Sequence, residues 1–230
     1  MSQPAMNSPA SATDDSARAA EKIRLRRHFR ALRLAALADS QALILAAAQR
    51  QLPALLPAAL LPEALLPEAL VPAAGLPAGQ RLGIYWPLAG EPDLRPLAAL
   101  DLPLALPAVW AEPPQAARLL YRSWQPGELL AADHCGIPAP TSAELGPEAL
   151  GLLLVPALAI DRQGFRLGYG GGWYDRLRSE PAWRALPALA VLPAACVVEA
   201  LPRDRWDVPF AGWLDETGLH WIQDTNIASL

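Results

Sequence analysis

Residues 150–160 read LGLLLVPALAI, and the sixteen that follow read DRQGFRLGYGGGWYDR. A near-continuous apolar run suits a strand buried on both faces, which needs covering layers on either side. Gly168, Gly170, Gly171 and Gly172 come next, with a helix expected to begin at about Trp173. Four glycines in five positions let the backbone take positive φ and approach a ligand closely. Backbone N–H groups in such a loop, helped by a helix N-terminus, can hold phosphate oxygens. The loop is not a dinucleotide fingerprint, because Trp173 stands where the third glycine of G-x-G-x-x-G belongs, and no Gly-Lys-Ser/Thr follows to make a Walker A loop. An anion-binding loop and a tight structural turn both remain open. Arg166 and Arg176 flank it and favour phosphate.

Shorter strands are expected at 81–86, 101–110, 117–124 and 186–191, with 212–214 adding an edge strand. Helices fit near 93–100 and 173–179. Strands mixed with helices imply an α/β layered domain. Toward the N-terminus, 16–37 has a helical period. Ile23, Leu25, Phe29, Leu32 and Ala36 supply an apolar side, and Lys22, Arg26, Arg30 and Arg33 a separate basic face. Asp14, Asp15 and Ser16 suit its N-cap, and a second helix is expected from Asp39 or Ser40. Residues 1–17 are expected to be a disordered tail, and 18–230 a single domain. Within it 52–79, where LLPEA occurs twice and proline recurs about every five residues, reads as a low-complexity insertion that cannot form one continuous helix.

The net charge of −4 offers no chain-wide basic field for nucleic acid, although 22–33 alone holds one Lys and five Arg. That cluster could be a solvated face or a binding surface. Cys135 and Cys196 are far apart and read as free thiols, implying a reducing, cytoplasmic setting. No CxxC or HExxH pattern points to a transition metal. No secretory signal or uninterrupted membrane-length apolar run is expected. Asp175, beside a phosphate loop, would be repelled by bound phosphate unless a cation such as Mg²⁺ lay between them; otherwise it is a first-turn Asp facing the helix dipole. Asp207, in RWDVP, is the candidate second carboxylate.

The stretch 161–176 resembles the signature D-x-x-G-x-R-L-G-x-G-x-G-aromatic-Y-D of the 5-formyltetrahydrofolate cyclo-ligase family. Other segments resemble the family in the same order: KIRLR at 22–26, IYWPLAGEPD at 84–93, GIPAP at 136–140, WDVP at 206–209 and DETG at 215–218. The resemblance implies a three-layer α/β/α sandwich around a mixed, mostly parallel sheet. It also implies a reaction: the formyl oxygen of 5-formyltetrahydrofolate attacks the γ-phosphate of ATP, N10 closes on the formyl carbon, and 5,10-methenyltetrahydrofolate, ADP and phosphate result. Carried over position by position, Lys22, Arg24, Leu25, Arg26, Arg166, Gly168, Tyr169, Gly170, Gly171, Gly172, Trp173 and Tyr174 would line the ATP site. Lys22, Arg26 and Arg166 would act on the transferring phosphate. The 170–174 stretch would also serve the folate together with Trp86 and Glu91, and Asp175 and Asp207 would hold Mg²⁺. Trp86 could equally be a core aromatic. The sequence departs from the family at 192–196, LPAAC, where a Gln is usual near Ala194 or Ala195. The partners expected are ATP and 5-formyltetrahydrofolate, free or polyglutamylated, with no nucleic acid or membrane, in a monomer or small homo-oligomer. A non-catalytic folate- or nucleotide-binding relative, and an ATP-dependent enzyme on another formyl or carboxyl substrate, are the alternatives.

Overall fold

A computed structural model describes residues 9–55, 80–111 and 116–222. Its strands in chain order are β1 (Arg81–Gly83), β2 (Leu104–Trp110), β3 (Arg118–Trp124), β4 (Ala131–Ala132), β5 (Pro138–Ala139), β6 (Glu144–Leu145), β7 (Leu150–Pro156), β8 (Ala159–Asp161), β9 (Arg166–Leu167), β10 (Ala188–Val191), β11 (Val197–Val198), β12 (Gly212–Asp215) and β13 (Gly218–Trp221). Eight form one sheet in the order β13-β12-β10-β7-β1-β2-β3-β6. The run β12-β10-β7-β1-β2 is parallel throughout, while β13, β3 and β6 join antiparallel.

The apolar run at 150–160 is central, as its composition requires, but it is two strands rather than one. β7 ends at Pro156, and β8 leaves to join β9 and β11 in a small separate sheet. Along β7 the side chains alternate between two cores. Leu153 and Val155 meet Ala188 and Ala190 on one face, and Leu152 and Leu154 meet Leu189 and Val191 on the other. These β7 residues are at most 3% exposed, and full burial of each such side chain is worth roughly 1.5–3 kcal/mol. Two short helices, α2 (Trp173–Ser179) and α3 (Pro181–Ala185), cover the first face through Leu177 and Trp183. A 3₁₀ helix, Arg95–Leu100, covers the second through Leu97.

The N-terminal helix α1 spans Pro9–Gln51 without a break. This corrects two expectations. It starts inside the segment read as a tail, with proline at a position where a missing N–H costs nothing. It also runs through Asp39 and Ser40, because the buried Ser40 hydroxyl donates back to the Ala36 carbonyl at 3.0 Å instead of capping a new helix. Phe29 packs on one core, and Ile44, Ala47 and Ala48 on the other. The helix has the length and apolar content of a membrane span, yet those side chains are at most 5% exposed within the domain. The low-complexity segment begins with a 3₁₀ turn, Leu52–Leu55, and the rest of it lies outside the described residues.

The segment 212–214, expected at an edge, is β12, one strand in from β13. The two are joined by a turn in which Asp215 Oδ1 accepts from the N–H and hydroxyl of Thr217 at 2.8 and 2.6 Å.

Candidate active site

From β1 the chain moves to β2 on one side, and from β7 it moves to β10 on the other. The carboxyl ends of β1 and β7 therefore flank a switch point, where open α/β sheets form their ligand crevice. A cavity of about 540 Å³ lies there, with Tyr85, Trp86 and Glu91 after β1 and Pro156 at the end of β7 among its walls. The 166–175 stretch forms another wall, and Lys22 and Arg26 of α1 a third.

The first part of the signature is scaffolding. Asp161, fully buried, accepts from the N–H of Gln163 and Phe165 at 2.9 Å with one oxygen and from Leu201 N–H at 3.1 Å with the other. It thereby shapes the β8–β9 hairpin and ties it to the 201 segment. Gly164, at φ +90°, leaves no room for a Cβ, which would stand 2.5 Å from the Phe210 carbonyl oxygen. The glycine loop follows. Gly170 and Gly172 have φ of +102° and +65°, conformations that side-chain-bearing residues rarely adopt. Arg26 Nε donates to the Gly168 carbonyl at 3.0 Å, fixing the loop against α1. Arg166, nearly buried, donates to the Pro156 carbonyl at 3.3 Å and stands 3.6 Å from Asp175.

Lys22 is held by two carboxylates. Its ammonium donates at 2.7 Å to Asp204 and at 2.7 Å to Asp207, both from the 204–207 turn. Asp207 also accepts the Asp204 N–H at 2.8 Å, and Arg18 bonds the other oxygen of Asp204 at 3.2 Å. Burial alone would raise the Asp204 carboxyl, but Lys22 and Arg18 outweigh it and hold it below the usual range. Trp206, between these carboxylates, is 60% exposed and lines the cavity.

At the other end Glu91 is buried yet lines the cavity. One oxygen accepts the Leu88 N–H at 2.8 Å, and the other accepts the Tyr169 hydroxyl. Arg33 in turn donates to the Tyr169 oxygen and, at 3.2 Å, to the Ala157 carbonyl. Burial and the Glu91 charge both raise the Tyr169 phenol. Burial lifts Tyr174 to about 12. Both phenols stay protonated donors at neutral pH.

The cavity thus gathers Trp86, Glu91, Lys22, Arg26, Arg166, the 168–174 stretch, Asp175 and Asp207 from four distant segments. Two expected residues stand elsewhere. Arg24 is paired with Glu21 at 2.8 Å, with its side chain 69% exposed. Leu25 packs on the core, and neither is among the lining residues. Arg30 and Ile23 are exposed, whereas Leu25, Phe29 and Leu32 of the expected apolar side pack on the core. The inward face of α1 adds Lys22, Arg26 and Arg33 to them, a mixed surface that serves a polar cavity and a core in turn. Sequence reasoning missed Asp204, and it assigned Arg33 no part in the site. Asp204 lies three residues before Asp207, and a carboxylate pair at that spacing opposite a buried lysine was the available signal. Tyr169, expected among ATP contacts, spends its hydroxyl on Glu91. The altered segment Ala194–Cys196 is a 3₁₀ turn outside the cavity lining, anchored by Glu216 on the Ala194 N–H at 2.8 Å. Cys196 is buried and Cys135 exposed, both as free thiols. Among the described residues no group of three or more His, Cys, Asp or Glu side chains could hold a metal by itself.

The architecture is shared with solved proteins. The NMR structure of Aquifex aeolicus 5,10-methenyltetrahydrofolate synthetase superposes with a TM-score of 0.64 at 23% identity, over 89% of this chain and 94% of that one. A 5,10-methenyltetrahydrofolate synthetase from Mycoplasma pneumoniae gives 0.57 at 16% identity, over 85% and 99%. In sequence, the 5-formyltetrahydrofolate cyclo-ligase of Mycolicibacterium smegmatis is 34% identical over 143 residues, 57% of this chain and 71% of that protein. The enzyme of the same name from Escherichia coli is 33% identical over 101 residues, 42% of this chain and 55% of that protein. The matching family model spans residues 79–213, which takes in β1, the Glu91 loop, the glycine loop and the Asp204–Asp207 turn. With more than half of the chain inside that match, and with the cavity built from the segments that carry the signature, the chain belongs to the 5-formyltetrahydrofolate cyclo-ligase family.

Proposed function

We infer that the cavity cyclises 5-formyltetrahydrofolate to 5,10-methenyltetrahydrofolate, with ATP phosphates at its Lys22–Arg26–glycine-loop end and the pterin at its Glu91 end. The observation that carries this reading is the placing of both ends in one cavity at the switch point. Phosphoryl transfer asks a protein mainly for positioning and charge neutralisation. Lys22, Arg26 and Arg166 supply cations, and the glycine loop supplies a backbone surface that side chains do not block. The nucleophile is the formyl oxygen of the folate. It attacks the γ-phosphorus, the bond to the β-bridging oxygen breaks, and ADP leaves. N10 then attacks the formyl carbon and gives up its proton, and phosphate departs carrying the formyl oxygen. Glu91 offers acceptors to the adjacent N–H groups of the pterin, and Trp86 offers an apolar face beside it.

The donor chemistry also fits Mg²⁺ arriving with the nucleotide. Asp175 and Asp207 are hard oxygen ligands lining the cavity, and one or two carboxylates plus phosphates is the usual magnesium set. Asp207 already pairs with a cation, the Lys22 ammonium. Bound there, the metal would neutralise phosphate charge.

The test is formation of 5,10-methenyltetrahydrofolate, followed by absorbance, with and without ATP and Mg²⁺. Product that requires both supports the reading. Folded protein that binds ATP and yields no product overturns it in favour of a binding module.

A further inference from the structure

Glu91 has a problem that its cavity position makes acute. A carboxylate that is to recognise two adjacent N–H groups must be ionised, and it must keep one free acceptor on each oxygen. It has about four acceptor sites. Leu88 N–H takes one on the first oxygen and the Tyr169 hydroxyl takes one on the second. One site per oxygen remains, which matches a bidentate pair of donors.

The charge is balanced without using either of those sites. Arg33 Nη1 stands 4.0 Å from Glu91 Oε1, beyond hydrogen-bond reach, and both side chains are only 2% exposed. Its bond goes instead to the Tyr169 oxygen, so the hydroxyl proton is directed at Glu91. Arg33 is a poor residue for stability alone. Its buried Nε meets no acceptor among the described residues, and a buried cation with incomplete partners is often less stable than an apolar residue of similar volume.

We propose that Arg33 is the positioning residue of the pterin carboxylate: through the Tyr169 hydroxyl it holds Glu91 oriented and open on both oxygens. The inference rests on the pterin lying at Glu91. Arg33 lies on the same face of α1 as Lys22 and Arg26, and Tyr169 belongs to the glycine loop. The relay therefore joins the folate end of the cavity to both elements of the phosphate end.

The experiment measures KM for each substrate in Tyr169→Phe, Arg33→Met, Arg33→Lys and Glu91→Gln, with the other substrate saturating. Tyr169→Phe, which deletes one hydroxyl and keeps the ring, raises KM for 5-formyltetrahydrofolate by about tenfold and leaves KM for ATP within about twofold. Arg33→Met raises it further, again without a matching change in KM for ATP, and Arg33→Lys, which keeps a cation, recovers part of the loss. Wild-type folate KM in Tyr169→Phe and Arg33→Met, alongside a raised KM in Glu91→Gln, overturns the relay and leaves the pterin placement standing. Wild-type folate use in Glu91→Gln overturns the placement itself. If Arg33→Met does not fold, Tyr169→Phe decides alone.

Discussion

Replacing Lys22 by Met removes one charge and keeps most of the side-chain volume. In the wild type the ammonium lies 2.7 Å from an oxygen of Asp204 and 2.7 Å from one of Asp207, so those oxygens are no more than 5.4 Å apart. Without the cation the two carboxylates repel by about 3 kcal/mol at an effective dielectric of 20, and two charge-assisted bonds are lost. Side-chain exposures of 11–20% and the remaining Arg18 contact reduce the effect. A net destabilisation of about 2–3 kcal/mol at pH 7 follows, which in a chain of this size lowers Tm by about 4–12 °C. The pH dependence has a definite sign. The folded Asp204 carboxyl sits below its ordinary value, so its contribution is present above the unfolded value of about 3.9 and is lost as pH falls through the folded one. Wild type and variant should differ in urea midpoint at neutral pH and converge in acid. Equal midpoints at pH 7, or a gap that persists once both carboxyls are protonated, would refute this account of the Lys22 cluster.

Other perturbations read out the phosphate end. Asp175→Asn should raise the Mg²⁺ concentration giving half-maximal rate by about tenfold, an order typical of weakening one charged contact; an unchanged Mg²⁺ titration would remove Asp175 from the metal set. Gly172→Ala forces a Cβ into φ +65° and to within 2.9 Å of an Arg176 nitrogen, costing about 1–2 kcal/mol of stability by urea denaturation. Gly172→Asn should cost less, because Asn tolerates that conformation.

Much of the fold was legible because its signals are local. A run that is apolar on every residue marked β7, and clustered glycines marked the loop beside it. Two kinds of information were not local. The inward stripe of α1 mixes Lys22, Arg26 and Arg33 with Phe29, since half of that face meets a cavity and half a core. Apolar periodicity therefore found Leu25, Phe29 and Leu32 but not the cations beside them, and it included Ile23, which stands in solvent. Ser40 looked like a cap because its type favours caps, and its burial within an unbroken helix makes the bond to Ala36 the better choice. At the site, the signature named residues but not their partners. That Asp161 serves backbone amides and Tyr169 serves Glu91 depends on contacts across 40 and 78 positions.

The docking of α1 bears on how the chain matures. Its hydrogen bonds reach almost the whole length of the sequence: Lys22 to Asp204 spans 182 residues, and Gln51 to Leu219 spans 168. Synthesis proceeds from the N-terminus, so the helix emerges well before the 204–221 partners that its polar ends bind. Contacts of such separation make for high contact order and slow closure. Ile44, Ala47 and Ala48 share their core with residues 82–106 and can begin to bury there, whereas Lys22 and Gln51 keep unpartnered polar ends until 204–221 arrives. The cationic wall of the cavity is therefore completed only when α1 meets the glycine loop and the 204–207 turn.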